Sequence, residues 1–414
     1  MTQVIAKLLI FFVIFSMGLG VGSKYITKNT PSDNLVSEKN ANKAFVGEVY
    51  DKIKENYWDN ISDEDLLKAF SQALGTKELK TKDQLLSEIK DAKIAATAAG
   101  LVLASLKPAG RSGLYTQKLE QQLQNTVNNV NPEKDLYKDL GLAKGASKEA
   151  VAAAAQQKTE ELKKENTPAA KEQIKQITYA KDVLTKQDTK LRYDTNQVEP
   201  TIFTKTIGPV LYVQFKKFSP TSYDEFIKAF DSYKNDATLT GLIFDLRGNI
   251  GGAIDTTTYF LGNFLGKGQY AYDFYHKGEY LPFKTPTEKL ASISKYKQIV
   301  ILVDQNTQSS AEIMTASFKK FHIGVVVGVP TKGWGTVERV FPLDNQISKS
   351  EKYSLFLVHS ITLRDDNQPI EGRGVDPDIN IKNVNWQQQL FSYFRNPQLA
   401  SVVADLYTPE EFPK

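Results

Sequence analysis

The sequence predicts an α/β (α+β) domain with a mixed sheet in the second half of the chain, preceded by a helical module and an all-α hairpin domain. After about residue 198, short apolar segments with strand character alternate with amphipathic helices. Before that point, apolar residues recur every three or four positions, which is the period of a helix. The 414 residues are enough for about two to four domains of ordinary size.

Composition excludes several classes of protein. The 52 basic and 48 acidic side chains leave a net charge of only +4, so nothing indicates a nucleic-acid partner. The chain has no cysteine and three histidines, which excludes a disulfide framework and argues against a histidine-rich metal site. We therefore expect no metal and no cofactor.

The N-terminal residues 1–22 contain an uncharged apolar run from Leu8 to Gly22, preceded by Lys7. This run is slightly shorter than the ~20 residues that span a bilayer as a helix. It predicts a retained signal anchor or transmembrane helix, and the alternative is a signal peptide cleaved near the small residues Gly20 and Gly22. Both alternatives place the body outside the cytoplasm, and the retained anchor makes it a single-pass protein of the cell membrane. Residues 23–41 are polar and are predicted to form a linker.

Residues 42–130 are predicted to form the helical N-terminal module. Phe45, Val49, Ile53 and Tyr57 are spaced four residues apart, as on one face of a helix. A second helix is predicted to begin after Ser62, a suitable N-cap. Further helices are predicted over residues 82–92 and 95–106.

Residues 131–197 are rich in Ala, Lys, Glu and Gln and are predicted to form a helical hairpin. Ser147 is a predicted N-cap, and Thr167-Pro168 separates the two long helices. The ends of the segment, "DLYKDLGL" and "DTKLRYD", resemble those of a J-domain. J-domains stimulate a chaperone ATPase through a His-Pro-Asp turn, whereas the corresponding turn here reads "KENTPAA". The resemblance therefore implies a J-domain-like fold without the J-domain activity.

Residues 198–385 are predicted to form the α/β domain, and residues 386–414 a C-terminal helical segment. An amphipathic helix is predicted in "SPTSYDEFIKAFDSYKND", between the first two strands. The predicted strands read "GPVLYVQF", "TGLIFDL", "QIVILVD", "GVVVGV", "TVERVFPL" and "YSLFLVHSITL".

Two turns of this domain carry residues suited to chemistry. In "GLIFDLRGNIGGAI" an apolar strand runs into Gly248, Gly251 and Gly252, where free backbone N–H groups indicate an anion cradle or an oxyanion hole. In "VILVDQNTQSSAEIMTASF" Ser309 and Ser310 fall at a predicted helix N-terminus, where N–H groups stabilise negative charge. Either turn alone is also compatible with an ordinary glycine turn or an ordinary N-cap.

Taken together and in order, "DLRGNIGG", "TQSSAEI" and "IEGRGVDPDI" resemble the motifs of the C-terminal processing peptidases, also called tail-specific proteases. The resemblance covers about residues 42–116 and 201–380, and the J-like segment occupies the position of that family's PDZ domain. It implies a serine endopeptidase that hydrolyses peptide bonds near protein C-termini. It also implies Ser309 as the nucleophile, with the backbone N–H groups of Gly248 and Ser310 as the oxyanion hole.

The sequence differs from the family's pattern at the residue that would activate Ser309. The family uses a lysine oriented by a glutamine four residues later, and "TKGWGTVE" places Trp334 and Glu338 at those two positions. Three hypotheses stay open: Lys332 replaces the lysine as the general base, Glu338 orients His359 on the next strand, or the protein is a pseudoprotease that only binds peptides.

The same resemblance implies the partners of the protein. These are protein or peptide substrates with C-terminal tails, and the membrane through the N-terminal helix. No nucleic acid is expected, and homo-oligomerisation stays open.

Overall fold

The computed structural model describes residues 38–407. The predicted anchor, most of the predicted linker and the last seven residues of the chain lie outside this range. Within it, no helix combines the length and the apolar character needed to cross a bilayer.

Two sheets organise the described part of the chain, and they confirm the predicted α/β fold class with a mixed sheet. The six-stranded sheet has the order β11-β8-β7-β4-β3-β2, in which β2 is antiparallel to β3 and the other pairs are parallel. The second sheet is antiparallel, with the order β1-β10-β5-β6 and β9 also paired with β10. The strands are β1 Gly113–Thr116, β2 Ile202–Ile207, β3 Val210–Phe215, β4 Gly241–Asp245, β5 Tyr270–His276, β6 Glu279–Lys284, β7 Gln298–Val303, β8 Val325–Gly328, β9 Thr336–Pro342, β10 Tyr353–Thr362 and β11 Ile379–Asn380.

Fifteen α-helices lie within residues 38–407. They are α1 Glu38–Asn56, α2 Asp63–Leu74, α3 Lys82–Glu88, α4 Ala92–Ser105, α5 Gln117–Val127, α6 Leu136–Asp139, α7 Lys148–Lys163, α8 Pro168–Thr185, α9 Gln187–Asn196, α10 Ser222–Asp231, α11 Thr257–Leu265, α12 Ala291–Ser294, α13 Ser310–Lys320, α14 Trp386–Phe394 and α15 Pro397–Tyr407.

The six-stranded sheet is covered on both faces, which explains why every residue of β4 is buried. One face carries the large aromatic core around Phe244, Phe226 and Phe318, from β4, α10 and α13. On the other face, α14 and α15 bury Leu390 and Leu399 against the strands. The C-terminal helices are therefore the outer layer of this sheet.

The N-terminal helices share a core with the antiparallel sheet. The stripe of α1 that includes Phe45 and Val49 is fully buried together with Leu355 and Leu357 of β10. Ser62 caps α2, since its side chain accepts a hydrogen bond from the Asp65 backbone. This packing fixes the segment after α4, including Arg111, close to the loop that leads into β9.

The J-like segment forms a small helical bundle with its own core. Leu136, Tyr137 and Tyr193 are buried against α7 and α8. Thr167 caps α8 with Pro168 at its first position, as the sequence pattern predicts. An ion pair of 3.0 Å between Arg192 and Glu225 connects the bundle to α10.

Candidate active site

Ser309 occupies a strained turn between β7 and α13. Its φ of +55° and ψ of −124° lie in a region that residues with a Cβ rarely adopt. Gly251 packs directly against it, since a Cβ built at Gly251 would lie 2.7 Å from the Cβ of Ser309. The two turns that sequence analysis selected are therefore in contact, and only glycine fits at this point of the first turn.

Asn249 holds the two turns together. Its side-chain amide donates to the Phe215 carbonyl at 2.7 Å, and its side-chain oxygen accepts from Gly251 N–H at 2.8 Å. Its own carbonyl accepts from Gln308 N–H at 2.9 Å, one residue before Ser309. Asn249 is fully buried, so these bonds fix the backbone around Ser309.

The predicted oxyanion role of Gly248 is wrong in this structure. Its N–H donates to Asp304 Oδ1 at 2.9 Å and is therefore occupied. Within residues 38–407, neither Ser310 N–H nor Gly252 N–H has a hydrogen-bond acceptor. The oxyanion role of the Ser310 N–H therefore stays a prediction, and the Gly252 N–H is the second candidate donor in place of that of Gly248. Sequence analysis named Gly252 as one of three glycines in this turn but could not select it, because nothing in "GNIGG" distinguishes free N–H groups from occupied ones.

The side chain of Ser310 has a structural role. It is fully buried, and its hydroxyl donates to the Gly252 carbonyl at 3.0 Å. That bond ties the first turn of α13 to the glycine turn and leaves Ser309 as the only serine of the pair suited to act as a nucleophile.

Glu312 connects the Ser309 turn to the loop before β9. One carboxylate oxygen accepts from the hydroxyl of Thr331 at 2.6 Å and from Gly333 N–H at 2.7 Å. The other oxygen accepts from the backbone N–H groups of Ser309 and Trp334, each at 2.8 Å. Burial raises the pKa of Glu312 to about 7, and the four donors oppose that shift. Because Ser309 N and Trp334 N share one oxygen atom, the backbone of Trp334 lies beside the nucleophile turn.

Trp334 is fixed in this position by contacts on several sides. Its indole N–H donates to Glu338 Oε1 at 3.3 Å, and the guanidinium of Arg111 lies 3.4 Å from the centre of its ring. Arg111 in turn pairs with Glu371 at 2.9 Å. Glu371 also accepts from Gly335 N–H at 2.8 Å. The position of the family's lysine is therefore filled by an aromatic ring that cannot accept a proton.

Glu338 is buried and bonded to the same region. It accepts a hydrogen bond from the Thr336 hydroxyl as well as from Trp334. Burial raises the pKa of Glu338 to about 8, so this carboxyl group carries a proton at neutral pH. It serves as a partner of Trp334 rather than as the orienting group for a base.

Replacing Glu338 with glutamine should change the pH dependence of stability. A folded pKa of about 8, against an ordinary value of 4.5, means that the folded state favours the protonated carboxyl. The wild type should therefore lose stability as pH rises from about 4.5 through about 8, and Glu338→Gln should lose less over the same interval. Urea unfolding at several pH values measures this difference, and parallel pH profiles for the two proteins would refute it.

Lys332 does not reach the site in this structure. Its side chain is exposed and forms no hydrogen bond or ion pair with residues 38–407. Only its backbone N–H is engaged, with the Thr307 carbonyl at 2.9 Å. A neutral lysine base needs burial, so its exposed position does not favour the hypothesis that Lys332 activates Ser309.

The hypothesis that Glu338 orients His359 is wrong. The register pairs Glu338 with Val358, and a bulge between Val358 and Ser360 turns His359 away. The ring of His359 stacks on His276 at 4.3 Å between centroids. Burial, followed by the nearby positive groups, lowers the pKa of His359 to about 3. Across residues 38–407, no basic side chain forms a hydrogen bond with the hydroxyl of Ser309.

Comparison with known proteins agrees with this geometry. The sequence model of Peptidase family S41 matches residues 209–381, which contain both turns and the loop with Trp334. We call these matched residues the S41 domain. Ser309 and Trp334 thus lie in the part of the chain that matches a peptidase family, and the predicted resemblance to C-terminal processing peptidases is confirmed.

Individual relatives of the S41 domain are distant. The carboxy-terminal processing protease CtpA of Bacillus subtilis is 28% identical over 193 residues, which are 46% of this chain and 39% of that protein. A "Probable CtpA-like serine protease" of Staphylococcus epidermidis is 26% identical over 202 residues, 49% of this chain and 39% of its own length. The chain thus spans about two-fifths of the length of these relatives.

A solved structure shows the same fold. The photosystem II D1 C-terminal processing protease superposes with a TM-score of 0.53 at 14% identity, covering 82% of this chain and 93% of that one.

Proposed function

We propose that the S41 domain binds peptides beside Ser309 without hydrolysing them. The observation that supports this proposal is the position of Trp334, whose backbone shares Glu312 with that of Ser309 and whose ring is held by Arg111 and Glu338. A serine hydroxyl needs a base to become a nucleophile at neutral pH. With Trp334 in place of a lysine, the site has Ser309 as a candidate nucleophile but has no base to activate it.

Peptide binding needs fewer groups than hydrolysis does. The N–H groups of Ser310 and Gly252 have no acceptor within residues 38–407 and are suited to bind a peptide carbonyl oxygen. Both belong to turns fixed by Asn249 and Glu312. The site is therefore organised before a ligand arrives, which lowers the entropic cost of binding.

A second candidate function is hydrolysis near the C-termini of proteins, with Ser309 as the nucleophile. The positive φ of Ser309 favours it, because such strain is typical of functional positions. In this case Lys332 would have to move from its exposed position and lose its charge on approaching Ser309. Lys332→Ala should then reduce hydrolysis by about two to four orders of magnitude.

The two candidates differ in their response to Ser309→Ala. If the domain only binds, the variant and the wild type should bind a fluorescent unstructured peptide with the same dissociation constant, measured by anisotropy. Neither protein should release fragments of that peptide. Fragments that appear with the wild type and disappear with both Ser309→Ala and Lys332→Ala would establish the second candidate instead.

The cellular location is a further part of this proposal. We infer that the apolar run from Leu8 to Gly22 anchors the protein in the cell membrane with the S41 domain outside the cytoplasm. Protease added to intact cells whose cell wall or outer membrane has been removed should digest the domain. Complete protection until the cells are lysed would contradict this inference.

A further inference from the structure

A cleft of about 670 Å³ lies between the J-like segment and the S41 domain. We call it the hairpin cleft. Its lining includes residues that the proposed mechanism of peptide binding does not use. Among them are Lys134, Tyr179, Glu199, Lys216, Lys217 and Ile250.

Four lysines and three glutamates line the hairpin cleft, and three of the lysines have no ion-pair partner among residues 38–407. Among residues 38–407, none of Lys134, Lys216 and Lys217 forms a salt bridge. The ammonium groups of Lys134 and Lys216 lie 4.9 and 4.5 Å from the centre of the same ring, that of Tyr179. The hydroxyl of Tyr179 donates to Glu199, the acidic side chain nearest to this cluster.

Desolvation is the main cause of the lowered pKa of two of these lysines. Burial lowers the pKa of Lys217 to about 8, although Glu199 opposes the shift. Desolvation also lowers the pKa of Lys216, which is more exposed; Glu199 opposes this shift and the like charge of Lys134 adds to it. A bound anion would relieve both the desolvation and the repulsion.

Two residues that line the hairpin cleft are neighbours in sequence of residues that contact the nucleophile turn. Ile250, which lines it, is followed by Gly251, the residue that packs against Ser309. Lys217 is followed by Phe218, whose N–H donates to the Gly251 carbonyl at 2.9 Å. The lining at Ile250 and Lys217 is thus one residue away along the chain from Gly251 and Phe218.

We propose that the hairpin cleft binds the C-terminal carboxylate of an extended peptide, with Lys217 and Lys216 as its recognition groups and the preceding residues directed towards Ser309. This inference rests on the proposed function of peptide binding. The side-chain amides of Asn125 and Gln176 also line the cleft and suit the backbone of such a peptide.

The test compares two peptides of identical sequence, one ending in a free carboxylate and one in an amide. Anisotropy titrations with the protein should give about tenfold tighter binding of the acid, the scale of a hydrogen bond to a charged group. Lys217→Met should reduce this preference to near unity, and Lys217→Arg should keep most of it. Lys267→Met, a change at an exposed lysine outside the cleft, should keep it fully.

The pH dependence gives a second readout that a purely structural role of Lys217 would not produce. Affinity for the acid peptide should fall as pH rises through about 8, because Lys217 then loses its proton, while affinity for the amide should stay constant. The other titratable groups that line the cleft with Lys217 are Lys134, Lys175, Lys216, Tyr179, Glu133, Glu172 and Glu199.

The same titrations distinguish a failure of the proposed carboxylate site from a failure of the proposed peptide binding. Equal binding of the acid and the amide by the wild type would overturn the carboxylate site and leave peptide binding intact. No binding of either peptide would overturn both. Tighter binding of an amidated peptide that carries a phosphoserine than of the free acid would reassign the site to a phosphate.

Discussion

The double variant Trp334→Lys with Glu338→Gln is expected to hydrolyse an unfolded protein substrate that the wild type leaves intact. The backbone of residue 334 already lies beside Ser309, because both N–H groups donate to one oxygen of Glu312 at 2.8 Å. A lysine at position 334 would take the volume of the indole, and a glutamine at position 338 would accept from its ammonium as Glu338 now accepts from the indole N–H. The change therefore supplies a base to a site that holds every other group.

The expected gain is about two to four orders of magnitude over the wild type, the usual contribution of a general base. Release of fragments from a fluorescent casein measures it. Two controls belong with the experiment: Trp334→Phe with Glu338→Gln should stay inactive, and Ser309→Ala added to the double variant should abolish the gain. If the folded double variant had no more activity than the phenylalanine control, the inference that Trp334 occupies the position of the activating lysine would be contradicted.

Replacing Glu312 with leucine should produce the largest loss of stability. Four donors bind its carboxylate, and three of them are backbone N–H groups, two buried and one partly buried, that would lose their acceptor. Each buried donor left unpaired costs about 1–3 kcal/mol, so the free energy of unfolding should fall by roughly 5 kcal/mol. Equilibrium unfolding in urea, followed by tryptophan fluorescence, measures this difference.

Two comparisons make the Glu312 experiment specific. Glu312→Gln keeps one acceptor oxygen and should lose less stability than the leucine variant. Glu288→Leu changes an exposed glutamate and should leave the urea midpoint unchanged. If Glu312→Leu had the same urea midpoint as the wild type, the carboxylate of Glu312 would not be what holds the Ser309 turn to the loop before β9.

Much of the fold and the backbone of the site could be predicted from the sequence. The strand, turn and helix around Ser309 follow from an apolar run, a polar turn and a helix with Ser and Glu three residues apart. That spacing is also a capping-box pattern, and it is the signal from which the buried role of Glu312 could have been found. The alignment of "TKGWGTVE" correctly placed Trp334 beside the nucleophile turn.

Side-chain directions account for what the sequence did not predict. Whether Gly248 or Gly252 has a free N–H depends on the distant Asp304, which takes the first of them. The bulge next to Val358 turns His359 towards His276, and no residue pattern predicts a bulge at that site. The exposure of Lys332 likewise follows from the path of its loop, which is fixed through Thr331 and Gly333 by Glu312.

The central claim, that the site binds a peptide but lacks the base to cut it, is tested most directly by recovering a bound peptide. Wild-type protein is saturated with an unstructured peptide at neutral pH, incubated for several hours, denatured and analysed by mass spectrometry. We predict that the peptide is recovered intact and in the same yield as from the Ser309→Ala variant. Cleavage products that form with the wild type and not with Ser309→Ala would show that Ser309 is activated and would contradict the claim.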